Sequence, residues 1–288
     1  MLKQVICGIL AVLVVGVLVD TATATTAISG DLFYTRFDNQ LKENIVQEIA
    51  DQSSGFGALT SITINGQVFP ANSDLPDVVN VKKATFSWDG TDLQLGTPTD
   101  IAQTQGADGI IFAPGGTHLI IGGQNNNVHR LPADGSAIGN PGLIQTLTLD
   151  STATSFHLAL EPGGTTVLTS DQPGDTVSRF PADFSGPATL HDAQRVTQYA
   201  FAPDGQAFYV QSEPDGLQGR FGITDLTADP FDNIRKIRDL DGAHSISYDP
   251  FTGDMILFGD SMIHQIDITD IANVPDDTHT VKSTLDLS

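Results

Sequence analysis

"HRLPADGS" (His129–Ser136) and "SRFPADFS" (Ser178–Ser185) carry an Arg, an apolar residue and Pro-Ala-Asp in the same order, 49 positions apart. A word that returns at such a spacing is the mark of a repeat architecture, so its flanks decide the fold. Four segments align upstream of such words: "DGIIFAPGGTHLIIGG" from Asp108, "FHLALEPGGTTVLTSD" from Phe156, "TQYAFAPDGQAFYVQS" from Thr197 and "HSISYDPFTGDMILFG" from His244. Their prolines, Pro114, Pro162, Pro203 and Pro250, are 48, 41 and 47 residues apart.

Each segment is an apolar run, a turn built on Pro and Gly, and a second apolar run, which is how two strands joined by a tight turn are written. A third strand follows in "NNVHRLPAD", "DTVSRFPAD", "GLQGRFGITD" and "SMIHQIDITD", and a fourth in "LIQTLTLD", "PATLHDA", "IRKIRDL" and "TVKSTLDLS". The Pro-Ala-Asp words therefore belong to the third strand of successive units. Four antiparallel strands in about 45 residues, with no helical periodicity between them, describe a propeller blade. A β-sandwich demands no such spacing, and solenoid coils are shorter. The expectation is an all-β chain, a β-propeller with five or six four-stranded blades, its ring either closed by an irregular pairing of the termini or left incompletely closed.

Regular blades are expected over 106–150, 153–192, 194–238 and 242–288, in a single domain spanning 25–288. Residues 30–104 fit less well and read as one or two irregular blades with an insertion. In that region "GDLFYTRF" resembles a second strand, "NVKKATFSWDGTDLQLGTPTDI" a third and fourth, and Asn39–Ala50 a short helix. On this reading the first blade lacks an innermost strand. Either the termini pair irregularly, or the natural chain continues past Ser288, since an open sheet edge invites aggregation.

Residues 1–24 read as a signal peptide: Lys3, the apolar run Val5–Val19, then Ala22-Thr23-Ala24 before the cleavage point. The run is shorter than the roughly 18 to 20 residues a spanning helix needs. A secreted or periplasmic location follows, with no membrane attachment after cleavage. Cys7, the only cysteine, goes with the leader, which excludes disulfides and thiolate chemistry from the mature protein. The formal charge of −22, from 35 acids against 13 bases, repels phosphate backbones and anionic lipid, so nucleic acid is excluded as a partner. Asp outnumbers Glu 31 to 4, and with 28 Gly and 15 Pro that bias is turn chemistry.

The stretches "GADGIIFAPGG", "FHLALEPGG" and "AHSISYDPFTG" resemble the exported propellers of the NHL, YVTN and streptogramin lyase-like group over about Gly106–Ser288. The resemblance implies a propeller fold. It also implies a range of activities: a lyase that opens cyclic peptide lactones, calcium-dependent lactonases, and members that only bind proteins or sugars. Enzymes of the group place acids and metal ligands on innermost strands. Glu43, Glu48, Glu161 and Glu213 do not stand at the start of such a strand, so no catalytic residue carries over.

The start of each innermost strand rings one mouth of the central channel, which makes Asp108, Phe156, His157, Thr197, Gln198 and His244 the candidate site. Asp108, His157, Gln198 and His244 are the candidate ligand-binding residues. Asp108, His157 and His244 are also the possible ligands of a divalent metal, the imidazoles suiting zinc, copper or nickel. The competing reading has both His residues bonding neighbouring carbonyls and fixing blade to blade. Arg130, Arg179 and Arg220 are expected to pair with Asp residues between blades, and Trp88 to pack a hairpin. No nucleophile elbow, P-loop, zincin, EF-hand or dinucleotide motif is present. The leading function is binding of a protein, glycan or small molecule at the mouth. The alternative is a metal-assisted lyase or lactonase there.

Overall fold

The computed structural model describes residues 28–37, 61–64, 67–70, 78–89, 92–105, 107–123, 126–170, 175–193, 196–211, 219–228, 230–240, 244–259 and 262–286, apart from 270, 272, 274, 277 and 279. The signal peptide and the helix expected over Asn39–Ala50 lie outside these residues. The described residues contain no α-helix, only a 3-10 turn at Pro141–Leu143.

Five four-stranded antiparallel sheets form a five-bladed β-propeller. The first holds β1 (Ile28–Phe37), β4 (Val78–Trp88), β5 (Leu93–Leu95) and β6 (Thr99–Gln105), while β2 (Ser61–Ile64) and β3 (Gln67–Pro70) pair as a separate hairpin. The second blade is β7 (Ala107–Phe112), β8 (His118–Gly123), β9 (Asn127–Pro132) and β10 (Gln145–Thr148). The third is β11 (His157–Leu160), β12 (Thr166–Ser170), β13 (Thr176–Pro181) and β14 (Thr189–Asp192). The fourth is β15 (Gln198–Phe201), β16 (Ala207–Gln211), β17 (Arg220–Asp225) and β18 (Asp232–Asp239). The fifth is β19 (Ser245–Asp249), β20 (Asp254–Phe258), β21 (Met262–Ile266) and β22 (Val281–Asp286). Strands β1, β7, β11, β15 and β19 pack on one another in succession. They are the innermost strands.

That succession corrects one expectation. The "GDLFYTRF" stretch lies in β1, an innermost strand rather than a second one: β1 is an edge of its sheet, and Phe33 meets Phe112 of β7 edge to face at 5.3 Å. The first blade therefore has its inner strand. Alternation of apolar residues marks a strand without giving its place in the sheet, which is why the sequence misleads here. The partner of β1 is β4, in register from Ile28↔Trp88 to Phe37↔Val79, and the insertion separates those two strands.

Each central strand sends alternate side chains to opposite faces, and both faces are dry. Leu158 of β11 joins Ile120 and Val128 of the second blade, whereas its neighbour Ala159 joins Val196 and Tyr199 of the fourth. Phe208 of β16 packs with Ile246, Met255 and Leu257 of the fifth blade, whereas Tyr209 turns back to Leu168 and Val177 of the third. The first and second blades meet through Phe33, Val81, Ile110 and Leu119. Each fully buried side chain of this size contributes about 1.5–3 kcal/mol. The outermost strands β10, β14 and β22 are largely exposed.

Two kinds of polar detail close the repeat. In the Pro-Gly-Gly turn, Gly163 and Gly164 take φ of 95° and 71°, which side-chain-bearing residues rarely adopt. At the end of the third strand in the second to fifth blades, an Asp accepts the N–H of the residue two places on: Asp134 from Ser136 at 2.9 Å, Asp183 from Ser185 at 3.0 Å, Asp225 from Thr227 at 2.8 Å and Asp267 from Thr269 at 2.8 Å. The Asp of "PAD" is thus the hinge of an Asx turn. Hydroxyl and N–H bonds from those Ser and Thr residues hold all four carboxyls below the usual carboxylate range.

A carboxyl whose folded pKa is depressed adds stability above its unfolded value, near 3.9, and that stability is lost as pH falls through the folded value. Asp225→Asn keeps the acceptor but not the titration, so it should melt near wild type at pH 7 and lose less on going to pH 3. Asp225→Ala should melt lower at both, as read by circular dichroism. A Cβ on Gly122 would stand 2.0 Å from the Ser155 carbonyl. Gly122→Ala is therefore expected to cost about 1–3 kcal/mol in a urea melt, as overpacking does.

Candidate functional site

The mouth is built from the first residues of the inner strands and the links that lead into them. His157 and Gln198 open β11 and β15, His244 immediately precedes β19, and Asp108 is the second residue of β7. The side chain of Asp108 lies outside the described residues. Gly109, beside it, runs so close to β11 that a Cβ there would meet the Phe156 carbonyl at 2.6 Å. The second and third blades are in backbone contact at this level.

Three hydrogen-bonded latches hold the mouth, one at each of three seams. Ser155, fully buried before β11, accepts the N–H of Gly123 at 2.8 Å and donates to the Asn127 carbonyl at 2.8 Å. Ser170, at the end of β12, donates to the carbonyl of Thr197 in the fourth blade. Gln198 spends its Oε1 on the fifth blade, accepting the Ser245 hydroxyl and, at 3.0 Å, the Ile246 N–H. Its Nε2 has no partner among the described residues.

The two imidazoles behave differently from the latches. His157 is half-buried and lies 6.4 Å, centroid to centroid, from the Phe156 ring. Among the described residues no hydrogen bond to its ring is formed, while His244 has an interaction partner. Loss of solvation, and then the closeness of His244, bring its pKa down to about 4. His244 of the fifth blade is near enough to His157 of the third for its charge to lower that pKa. The backbone N–H of His244 is held by the Phe258 carbonyl at 2.8 Å.

Among the described residues, no three His, Cys, Asp or Glu side chains gather to hold a metal. Two imidazoles fall short of the four ligands zinc takes in a structural site. The described residues do not by themselves make a metal centre.

Of the recurrent arginines, Arg130 of the second blade acts on the charge of Asp183 in the third as expected, whereas Arg179 takes another acid. Arg179 pairs with Glu161 of its own blade and lies 5.6 Å over the Phe231 ring of the next, and Arg130 donates to Gln145 at 3.0 Å. The Asp side chains that follow the third strands bond within local turns. Trp88 lies opposite Leu93 in the β4–β5 hairpin and is 41% exposed. His129, the first residue of "HRLPADGS", belongs to no motif that marks it as functional. It is buried between the strands of the second blade, with Nδ1 at 3.0 Å from Thr146 Oγ1 and Nε2 without a partner, and burial brings its pKa to about 4. Its period-2 position on β9 is the one signal of that burial in the sequence.

No protein-family model matches the chain, and no curated protein matches it in sequence. Among solved structures, a protein of Bacteroides uniformis ATCC 8492 assigned as a 6-phosphogluconolactonase superposes with a TM-score of 0.50 at 10% identity, over 89% of this chain and 93% of that one. A gluconolactonase of Xanthomonas campestris gives 0.46 at 14% identity over 65% and 68%, and a chain of a nidogen–laminin complex 0.49 at 10% over 65% and 70%. At such identities the likeness is one of fold alone.

His129 and His157 both have folded pKa values below the unfolded 6.5, so the unfolded chain binds more protons between about pH 6.5 and 4. Their stabilising contribution is complete above that window and is lost as pH falls through it. The melting temperature should therefore decline from pH 7 to 4, and His157→Gln should flatten that decline. In NMR titrations the His157 Cε1–H resonance should stay in its neutral position down to pH 5.

Proposed function

We propose that the protein is an exported β-propeller that binds its ligand, a protein, glycan or small molecule, at the channel mouth lined by Asp108, His157, Gln198 and His244. One observation supports this reading: the imidazole of His157, at the start of an innermost strand, is largely desolvated, feels the charge of His244, and has no hydrogen-bond partner among the described residues. The leader sequence supports export, and among the described residues no helix is long and apolar enough to cross a membrane. The blade motifs favour kinship with the NHL, YVTN and streptogramin lyase-like propellers, whose members include binders.

The second reading is a lyase or lactonase assisted by a divalent metal, favoured by the closeness of the same two imidazoles. There Asp108, His157 and His244 would supply ligands, and the ion would polarise an ester carbonyl. The structural neighbours named for lactonases add only their fold.

A fragment library screened by NMR on ¹³C-labelled histidines tests the first reading. Hits should move the His157 and His244 resonances together and leave that of His264, on the outer blade surface, in place; hits that move only His264 would refute it. Metal analysis with a melt in EDTA separates the second. A bound ion that raises the melting temperature and is lost in both His157→Ala and His244→Ala would replace binding by metal-assisted chemistry.

A further inference from the structure

The first sheet is narrower than the others. In the second to fifth blades the outermost strands β10, β14, β18 and β22 each pair with a third strand, whereas β5 and β6 both pair with β4, one after the other along it. That sheet is therefore three strands wide, β1, β4 and then β5 with β6, and among the described residues no strand pairs with the far side of β5 or β6. The β6 part is covered, since Ile101 and Ala102 are buried with Ala133 and Ala137 of the second blade. The β5 part is open: Leu93, Gln94 and Leu95 are all exposed, both leucines to 61%. We infer that this edge takes up an extended, cationic segment of a partner protein as an added strand, at a site separate from the channel mouth.

The ladder decides which groups this edge offers. Gly96 N–H bonds to the Thr85 carbonyl at 2.8 Å and Asp89 N–H to the Asp92 carbonyl at 3.4 Å, so Thr85–Gly96, Ser87–Gln94 and Asp89–Asp92 are the hydrogen-bonded pairs of the antiparallel ladder. The pairs between them, Phe86–Leu95 and Trp88–Leu93, exchange no bonds. The N–H and C=O of Leu93 and Leu95 therefore point away from β4, along the open edge. Backbone groups on an exposed edge are a template for another strand. The same registers put Trp88 beside Leu93 and Phe86 beside Leu95 on one face, with Ile28 opposite Trp88. Trp88 is itself 41% exposed, so a strand laid along β5 would set alternate side chains against an apolar strip. Charge around the strip selects the partner. The hairpin tip carries the exposed carboxylates Asp89 and Asp92, while the cations of β4, Lys82 and Lys83, are engaged by Asp100 at 2.5 Å and Asp31 at 2.7 Å. A second copy of the chain, itself of formal charge −22, would be repelled, and a segment alternating apolar residues with Lys or Arg would be attracted.

The test is calorimetry of the whole chain with short synthetic peptides that alternate Val with Lys, with Thr or with Glu. The Val–Lys peptide is expected to bind, more weakly as salt is added, and the Val–Glu peptide to stay unbound. Leu95→Pro removes an outward N–H and an apolar side chain but no bond to β4, so it should fold and weaken the Val–Lys peptide about tenfold or more, a loss of about 1.4 kcal/mol. Amide exchange on the wild-type protein reads the same contact without a variant: the Leu93 and Leu95 N–H groups should exchange readily alone and be protected by the peptide. Binding that leaves both amides unprotected, or that Leu95→Pro retains, overturns the inference, as does silence of every peptide. Equal binding of the Val–Thr or Val–Glu peptide overturns the cationic partner. Dimerisation of the chain in sedimentation, lost in Leu95→Pro, overturns it as well, by giving the edge to a second copy.

Discussion

A four-stranded sheet of this sequence has two apolar faces and cannot cover either one. Every other feature of the molecule follows from the way neighbouring sheets do so. Ile120 looks forward to the third blade while Leu119 and Ile121 look back to the first, and Val167 and Leu168 divide the same way. Because adjacent residues of one strand belong to different cores, a one-residue slip would exchange both sets of contacts at once. The register of each blade is therefore fixed by two neighbours. The convergence of inner strands on an axis is the geometrical result of stacking twisted sheets in this way.

Hydrophobic burial sets the ring, but it is non-directional, and the mouth is finished by directional bonds. Ser155, Ser170 and Gln198 each tie one blade to the next at the same end of the channel. All three are buried polar residues whose bonds cross a seam, so they resist separation of blades more than bending within one. In the turns that follow the third strands the bonding is local. Asp134, Asp183, Asp225 and Asp267 each close a turn with their own chain, which accounts for the excess of Asp over Glu: the shorter side chain reaches the N–H two residues on.

Gln198 and His157 hold the same position in successive blades and differ in their bonds. Both open an innermost strand at the mouth. Gln198 has found partners in the fifth blade for its oxygen, and His157 has none among the described residues. The imidazole is left neutral by its surroundings, with His244 of the fifth blade close by. No bond among the described residues ties this imidazole to a neighbouring blade.

Much of the architecture is legible in the order of residues, because a blade is a local object: Pro114, Pro162, Pro203 and Pro250 mark turns, alternation marks strands, and Asp134 and Asp183 mark the hinge after the third strand. The place of β1 is not legible, since an insertion separates it from its partner β4 and alternation alone does not say which neighbour a strand will take. The partners of Arg179 are hidden for a similar reason, as Glu161 and Phe231 are joined to it by sheet pairing and by blade stacking. The sequence determined that the chain is a ring of repeated β-sheets and which residues open its inner strands. Only the tertiary structure decided that His157 feels the charge of His244 and that Gln198 binds Ser245 and Ile246, because those relations arise between blades, where distance along the chain carries no information about distance in space.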